Sequence, residues 1–393
     1  MLDYYKIKTT KARYLEFISN LALESSYKLT PKSELTPYAR CFAIFGYHLL
    51  LEKEQYLSNS DELVTAIRQD LDHMRDHRRD LGISLKFDKN YLQLLTFSLS
   101  ALSILNRIDK EPLEDHILPL LSNNIEDDLN TVRAFEGKPR SGNQAMFMAI
   151  ILYHARNFLG RNVDNLINDW QRLHLDSINQ FGFWGEHHSM SHLQFQNGYH
   201  QYEILDYFET INVPWSIAAE SVATLADKEG HFAPYPGGGG CYDYDAIYIL
   251  TNSITCDNNK YKDLLIRTAN SILSEQNFDG GFCESHKVRP VSISNLSHSI
   301  KHVLLAEGES RVERMKYSLT LLRPKHARIH THWSTYSRKW SESNLWDSWF
   351  RMLTLARIDV SLNPSRSSEW GFINYPGIGY HQNLKNKYNH ANN

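Results

Sequence analysis

The sequence predicts an all-α fold, an α/α toroid of about six helical hairpins closing around a central cavity. Three observations carry this expectation. Short aromatic turns recur along the chain, at Gly182-Phe183-Trp184-Gly185, Gly230-His231-Phe232, Gly280-Gly281-Phe282, His332-Trp333 and Trp370-Gly371-Phe372. Their spacing of about 40 to 50 residues leaves room for two helices of about 12 to 15 residues and their connections. No stretch of alternating β-branched residues and no linker rich in Pro, Gly or Ser divides the 393 residues, so such hairpins must bury their faces by stacking or by closing on themselves. A linear solenoid is the structural rival, with more uniform helices and polar terminal caps.

Extending the interval backwards places earlier turns near Gly82 and at Gly137-Lys138-Pro139-Arg140-Ser141-Gly142. Tyr91–Leu105 is apolar on every face, which suits a helix buried in an inner ring, and Gln144–Ala155 reads the same way. Tyr261–Gln276 instead puts Leu264, Leu265, Ala269, Ile272 and Leu273 on one stripe, the pattern of an outer helix. Asn344–Arg357 repeats that stripe with Leu345, Trp346, Trp349, Phe350 and Leu353, and Ser341 or Ser343 is placed to cap its start. Residues 1–379 read as one domain, least regular over 1–130, and the polar tail Tyr380–Asn393 is expected to fray.

Composition excludes several classes. With 42% hydrophobic and 22% charged residues the chain is an ordinary globular one, and a net charge of −3 provides no global field for nucleic acid. The longest apolar run, Ala145–Tyr153, is about half of what a bilayer span requires. Met1–Lys11 mixes lysines with tyrosines and lacks the apolar core of a signal peptide. Four scattered cysteines, Cys41, Cys241, Cys256 and Cys283, make no disulfide framework. The expectation is a cytoplasmic protein with a small-molecule partner, no nucleic acid and no membrane span. Its oligomeric state stays open.

In a ring of hairpins the turns at one end share a central hollow, so turn residues are the candidates for a site. Trp184–Glu203 holds His187, His188, His192 and His200 with Glu186, Asn197, Tyr199, Tyr202 and Glu203. His187, His188, His192 and Glu203 admit a divalent metal, because imidazole and carboxylate suit zinc or iron, although no HExxH or paired CxxC pattern is present. Cys241, Cys283 and His286 form a second set of potential ligands. No other cofactor is indicated. Gly237–Gly240 allows close approach of backbone but lacks the ending of a phosphate loop. Farther on, Arg323, Lys325, His326, Arg328, Trp333, Tyr336, Arg338 and Trp340 precede Trp346 in a cationic, aromatic stretch suited to an anionic or cation-forming substrate.

Gln276-Asn277-Phe278-Asp279-Gly280-Gly281-Phe282 resembles the Q-x-x-x-G-x-W repeat of terpenoid cyclases and protein prenyltransferase β subunits, with Phe282 where Trp is usual. The resemblance loosely covers Gly182–Phe372 and implies the same toroid. Class II terpenoid cyclases carry a D-x-D-D segment; Asp243-Tyr244-Asp245-Ala246 is similar at its first two acids and departs at the last. The resemblance implies that Asp245 is the general acid and Asp243 its helper. Such an acid must be neutral near pH 7, which requires its pKa to rise by about three units. On a helix, residues two apart point in different directions, so the pair cooperates directly only if the segment is extended or turned. The zinc-binding D-x-C context of prenyltransferases and the Cys-His-Gly element of lanthionine cyclases are both missing.

The leading expectation is therefore acid-initiated cyclisation or isomerisation of a polyprenyl or prenyl-diphosphate substrate. Asp245, Asp243, His200 and Tyr202 are the catalytic candidates, and Trp184, Glu186, His188, Asn197, Tyr242, Arg328, Trp333, Arg338 and Trp346 are the binding candidates. The rival is a lyase, epimerase or hydrolase of anionic oligo- or polysaccharide, for which Asn197, His200, Tyr202 and Arg338 supply the chemical types, or Glu186 and Asp245 a pair of acids. A non-catalytic binding scaffold is the third reading.

Overall fold

Six of the helices have almost no polar face toward water, and these six form a closed inner wall. The computed structural model describes residues 2–253, 260–288, 291–321, 328–330, 337–372 and 375–377, with the side chains of 320, 321, 328–330 and 337–339 outside that description. The first helices are α1 (Tyr4–Asn20), α2 (Pro37–Leu49), α3 (Glu54–Leu57), α4 (Ser60–Asp80) and α5 (Lys89–Ile104). They are followed by α6 (Glu114–Ile117), α7 (Ile125–Thr131), α8 (Ser141–Phe158), α9 (Asp164–Asp176) and α10 (His192–Tyr207). The remainder are α11 (Trp215–Ala223), α12 (Gly240–Asn252), α13 (Lys262–Ser274), α14 (Ile293–Leu304), α15 (Gly308–Leu321) and α16 (Leu345–Leu362). Strands are limited, among the described residues, to two short antiparallel pairs: β1 (Ala22–Leu23) with β2 (Ser26–Tyr27), and β3 (Arg328–His330) with β4 (Ser337–Lys339).

The ring closes. Helix α2 packs on α5, α5 on α8, α8 on α10, α10 on α12, α12 on α16, and α16 returns to α2. Outside them, α1, α4, α9, α11 and α13 each cover an inner helix. Residues before 130, which carried no recognisable repeat, contribute α2 and α5, two of the six inner helices.

Local chemistry explains the elements. In α5 every residue from Tyr91 to Leu102 is buried, as its uninterrupted apolar pattern requires. Helix α13 is the expected outer helix, burying Leu265, Thr268, Ala269, Ile272 and Leu273. Helix α16 corrects its expectation, because it is an inner helix buried from Leu345 to Val360 except for half-buried Trp346, with Asp347, Arg351, Arg357 and Asp359 inside as well. Its arginines looked like a solvent face because their partners, Asp243, Thr251 and Asn252, lie on α12. Asn344, not Ser341 or Ser343, caps it by accepting from Asp347 N, while the Ser343 hydroxyl donates to Asp279.

The recurrent turns share one backbone pattern. Asn179 N donates to Phe183 O and Gly182 N to Asn179 O; Asp227 with His231 and Gly230, and Asn277 with Gly281 and Gly280, repeat it. Gly182, Gly230 and Gly280 take φ of +77°, +87° and +89°, and a Cβ there would meet the next outer helix at Ala218, Thr268 and Arg13 respectively. Glycine is thus needed twice over, for the left-handed conformation and for the close approach. The expected turn at His332-Trp333 and the tail from Tyr380 lie outside the described residues. Gly371 N donates to Leu49 O, so the last turn packs against the end of α2 instead.

Two departures from the regular hairpin matter for function. Between α13 and α16 the chain inserts α14, α15 and the β3–β4 hairpin. After Trp370 it re-enters the ring: the Tyr375 hydroxyl donates to His154 Nδ1 at 3.0 Å, and Gly377 lies against Thr96, Ser100 and Ile150 of α5 and α8.

Candidate active site

The glycine run before α12 lets that helix start in contact with its neighbour. Gly237 and Gly238 have φ of +82° and +78°; a Cβ on Gly238 would meet Asp243 and His231, and one on Gly240 would meet Asp347 and Phe350. The first turn of α12 is thereby wedged against α16, which places Asp243 in a charged cluster. Its Oδ2 accepts from Arg351 Nη1 at 2.7 Å and from His231 Nδ1 at 2.9 Å, and its Oδ1 accepts from Phe232 N at 2.9 Å. His231 Nε2 donates in turn to Glu275 at 3.2 Å, and Arg351 Nη1 stands 3.5 Å from the same carboxylate. Burial opposes charge on His231, yet Asp243 and Glu275 outweigh it and raise its pKa to about 10. Burial likewise opposes charge on Asp243, and His231 and Arg351 reverse the effect, keeping it an anion.

Asp245 has the opposite environment. It is 2% exposed, and no hydrogen bond or ion pair engages its carboxyl among the described residues. Burial, then the carboxylate of Glu203 on α10, then Asp243 push its pKa well above the usual carboxylate range. Glu203 accepts from the Tyr199 hydroxyl at 3.2 Å and from Gly377 N at 3.2 Å, so the re-entrant segment holds the neighbouring acid.

Around this acid the inner helices present aromatic rings. Phe42 meets Trp346 at 5.3 Å, Trp346 meets Phe350 at 4.8 Å, Phe350 meets Tyr244 at 5.9 Å and Tyr244 meets Tyr199 at 6.1 Å between centroids. The series runs from α2 through α16 and α12 to α10. A polar arc completes the circuit: Lys89 Nζ donates to Asn143 Oδ1 at 2.9 Å, and Asn143 Nδ2 donates to His200 Nε2 at 2.8 Å. That bond makes Nε2 the acceptor and puts the ring proton on Nδ1, which is buried without a partner. Burial, then Lys89, lower His200 to about 3, leaving it neutral. Burial, then Arg140, lower Lys89 to about 8; among the described residues no carboxylate pairs with it.

Of the residues singled out from sequence, Asp245, His200 and Trp346 lie on the inner helices that form this wall, and Tyr242 is half-buried, edge-on to Tyr235 at 6.3 Å. Asp243 lies beside it, in the charged cluster with Arg351 and His231. The rest are elsewhere. The Tyr202 hydroxyl donates to Gly182 O, with its ring among Phe183, Trp184 and Trp215. Trp184 Nε1 donates to His174 O at 2.9 Å, and Asn197 Nδ2 to Leu193 O at 2.9 Å, both structural contacts. Glu186 and His188 are exposed on the loop before α10. Arg328 and Arg338 are strand residues whose side chains are not described, and Trp333 lies outside the described residues.

The metal sets do not assemble. His187 Nδ1 pairs with Glu309 at 2.8 Å, whereas His192 Nδ1 donates to Phe232 O at 2.9 Å and its Nε2 accepts from Ser310 at 3.0 Å; both histidines anchor α15, and Glu203 is on the inner wall. Among the described residues, the group with ligand atoms mutually within 4.8 Å is Asp72, Asp115 and His116. Arg68 and Arg75 already neutralise it, with Arg75 Nη1 and Arg68 Nη2 at 2.9 and 2.8 Å from Asp115. Cys241 and Cys283 are not part of that group, and burial raises both thiols, Cys283 to about 12.

Sequence reasoning missed Lys89, Asn143, His231 and Arg351. The one available signal was a lysine directly preceding a wholly apolar helix.

No protein-family model and no curated protein matches the chain. Solved structures do. Two glycosidase structures, one in complex with glucose, align at TM-scores of 0.50 and 0.52 with 10% and 9% identity, covering 92% of this chain and 100% of theirs. The type II terpene cyclase MstE from Scytonema, in complex with geranylgeranyl dihydroxybenzoate, aligns at 0.48 with 13% identity over 92% of this chain and 98% of its own. At such identities the likeness is one of fold, and the class it defines is the α/α toroid.

Proposed function

We infer that this chain is an enzyme resembling class II terpenoid cyclases, which protonates an alkene of a prenyl substrate inside the ring and cyclises or isomerises it. The observation that carries the reading is Asp245, a carboxyl buried beside an aromatic wall, without a partner among the described residues and pushed well above the usual carboxylate range by burial and by Glu203. In the proposed step the Asp245 O–H bond breaks and a C–H bond forms at one alkene carbon, leaving a tertiary cation at the other. A second alkene of the chain attacks that cation, forming a C–C bond and a new cation; a carbon next to that cation loses a proton to water, and solvent returns a proton to the Asp245 carboxylate. Tyr199, Tyr244, Trp346 and Phe350 offer π faces to the cation. Lys89 and Arg140 would meet an anionic head group, such as a diphosphate or carboxylate, that a purely apolar chain lacks. Residues 1–379 would act as a single catalytic unit.

The test is a screen of prenyl diphosphates and prenylated aromatic acids with purified protein, read by mass spectrometry of extracted products. A cyclised product that disappears in Asp245→Asn supports the reading; full activity in that variant defeats it. Hydrolysis or elimination on an anionic oligosaccharide is the second reading, favoured by the polar arc of Lys89, Asn143 and neutral His200. Turnover of a uronate polymer and none of any prenyl substrate would select it. Binding of ligand with no turnover would select a non-catalytic scaffold.

A further inference from the structure

A cavity of about 60 Å³ lies between α14 and the turn that follows α11, and none of its lining residues is on an inner helix. The lining carries four cations against two carboxylates, and both carboxylates are already engaged. Asp227 Oδ1 accepts from Glu229 N at 2.8 Å and from His231 N at 2.9 Å, and Glu229 pairs with Lys287. The other cations have no such match. Among the described residues no hydrogen bond or ion pair engages the ammonium of Lys228 or of Lys301. Arg314 is 2% exposed and donates to His302 O at 3.0 Å and Leu225 O at 2.7 Å, carbonyls that carry no charge of their own.

Two lining histidines add a second observation. His302 Nε2 and His298 Nδ1 are buried without a hydrogen-bond partner among the described residues, and His302 as a whole is 5% exposed. Buried polar atoms left unbonded are costly, and two of them beside unpaired cations call for a ligand.

His302 also selects among anions. The Ala233 carbonyl accepts from its ring, and Asp227 Oδ2 lies 3.9 Å from Nδ1; with Nε2 unpartnered, the ring proton is on Nδ1 and Nε2 is an acceptor. Burial, then Arg314, lower His302 to about 2, so the ring stays neutral. An acceptor in a cationic cavity suits an anion that brings a hydroxyl. Inorganic phosphate keeps a P–OH at neutral pH, whereas sulfate and the dianion of a phosphate monoester have none.

We propose that this cavity binds inorganic phosphate, with Lys228, Lys301 and Arg314 opposite its charged oxygens and His302 Nε2 accepting from its hydroxyl. The bound ion bridges α14 to the turn whose His231 holds Asp243, and so couples the α14–α15 hairpin to the charged cluster beside α12. The site does not depend on the reaction inside the ring.

The test is isothermal titration calorimetry of the full chain at low ionic strength near pH 8, where phosphate monoesters have lost their second proton. Inorganic phosphate, sulfate and glycerol 3-phosphate are titrated in turn. The expected result is saturable binding of phosphate, with the other two ions at least about tenfold weaker. Lys228→Ala/Lys301→Ala should weaken phosphate at least about tenfold while thermal unfolding in phosphate-free buffer stays unchanged, because both side chains are exposed. Absence of phosphate binding, equal affinity for the three ions, or phosphate affinity unchanged in the double variant would each overturn the proposal.

Discussion

Arg351 of α16 donates to Asp243 of α12 across 2.7 Å, with both residues fully buried, and this contact joins two inner helices directly below the turn that carries His231. Two cations, Arg351 and His231, face two anions, Asp243 and Glu275. Burying the four together is tolerable because the charges balance; removing one is not. Arg351→Met should cost about 3–5 kcal/mol, seen as a lower denaturation midpoint with an unchanged m-value. A loss below about 1 kcal/mol, the range of surface pairs, would show that the cluster does not stabilise the fold.

Asp245 gives a stability signature independent of any substrate. Its folded pKa lies above its unfolded one, so the folded state binds the extra proton, and its burial cost appears above the unfolded pKa near 4 and grows with rising pH. Asp245→Asn removes that cost and nearly preserves shape. The variant should match the wild type in Tm at pH 4 and exceed it at pH 8. A variant less stable at pH 8 would indicate that the carboxylate form is the one the fold favours.

Buried neutral histidines set acid lability. Burial is the first cause that lowers His48 and His154 to about 4 and His174, His192 and His200 to about 3. Below pH 6.5 the unfolded chain takes up protons that the folded one does not, so stability falls with pH, by at most about 1.4 kcal/mol per histidine per pH unit. His231 acts in the other sense, contributing fully below pH 6.5 and losing its contribution as pH rises toward 10. Denaturant midpoints measured from pH 8 to 5 should fall steeply below pH 6.5. His174→Gln, which still can donate to Trp170 O, should flatten that slope.

The contact between α8 and α10 depends on Gly142, where a Cβ would collide with the backbone carbonyl of Asn197. Backbone cannot move aside as a flexible side chain can. Gly142→Ala should therefore destabilise by about 1–3 kcal/mol, the range for overpacking, even though alanine is the better helix former. An unchanged Tm would mean that the two helices are free to separate.

The ring was legible in the chain because its determinants are local. Apolar patterns of α5 and α8, and glycines 182, 230 and 280 at positive φ, act within one turn or one helix and leave a mark at a regular interval. Asn344–Arg357 was misread for the complementary reason. Its arginines resemble a solvated face unless their partners on α12 are known. The histidine-rich stretch before α10 misled likewise, since Glu309 and Glu313, whose hydrogen bonds fasten it to α15, lie about 120 residues away in sequence.

Sequence alone determined that this chain winds helical hairpins into a circle and that two aspartates stand near the start of one inner helix. Only the tertiary structure decided which of them holds its proton more tightly. Asp243 and Asp245 are the same residue type two positions apart, and nothing intrinsic separates their acidities. The difference arises because Asp243 meets Arg351, 108 positions along the chain, and His231, whereas Asp245 meets Glu203 and, among the described residues, no cation. Protonation is set by the charges folding brings alongside a group, and those come from distant parts of the sequence.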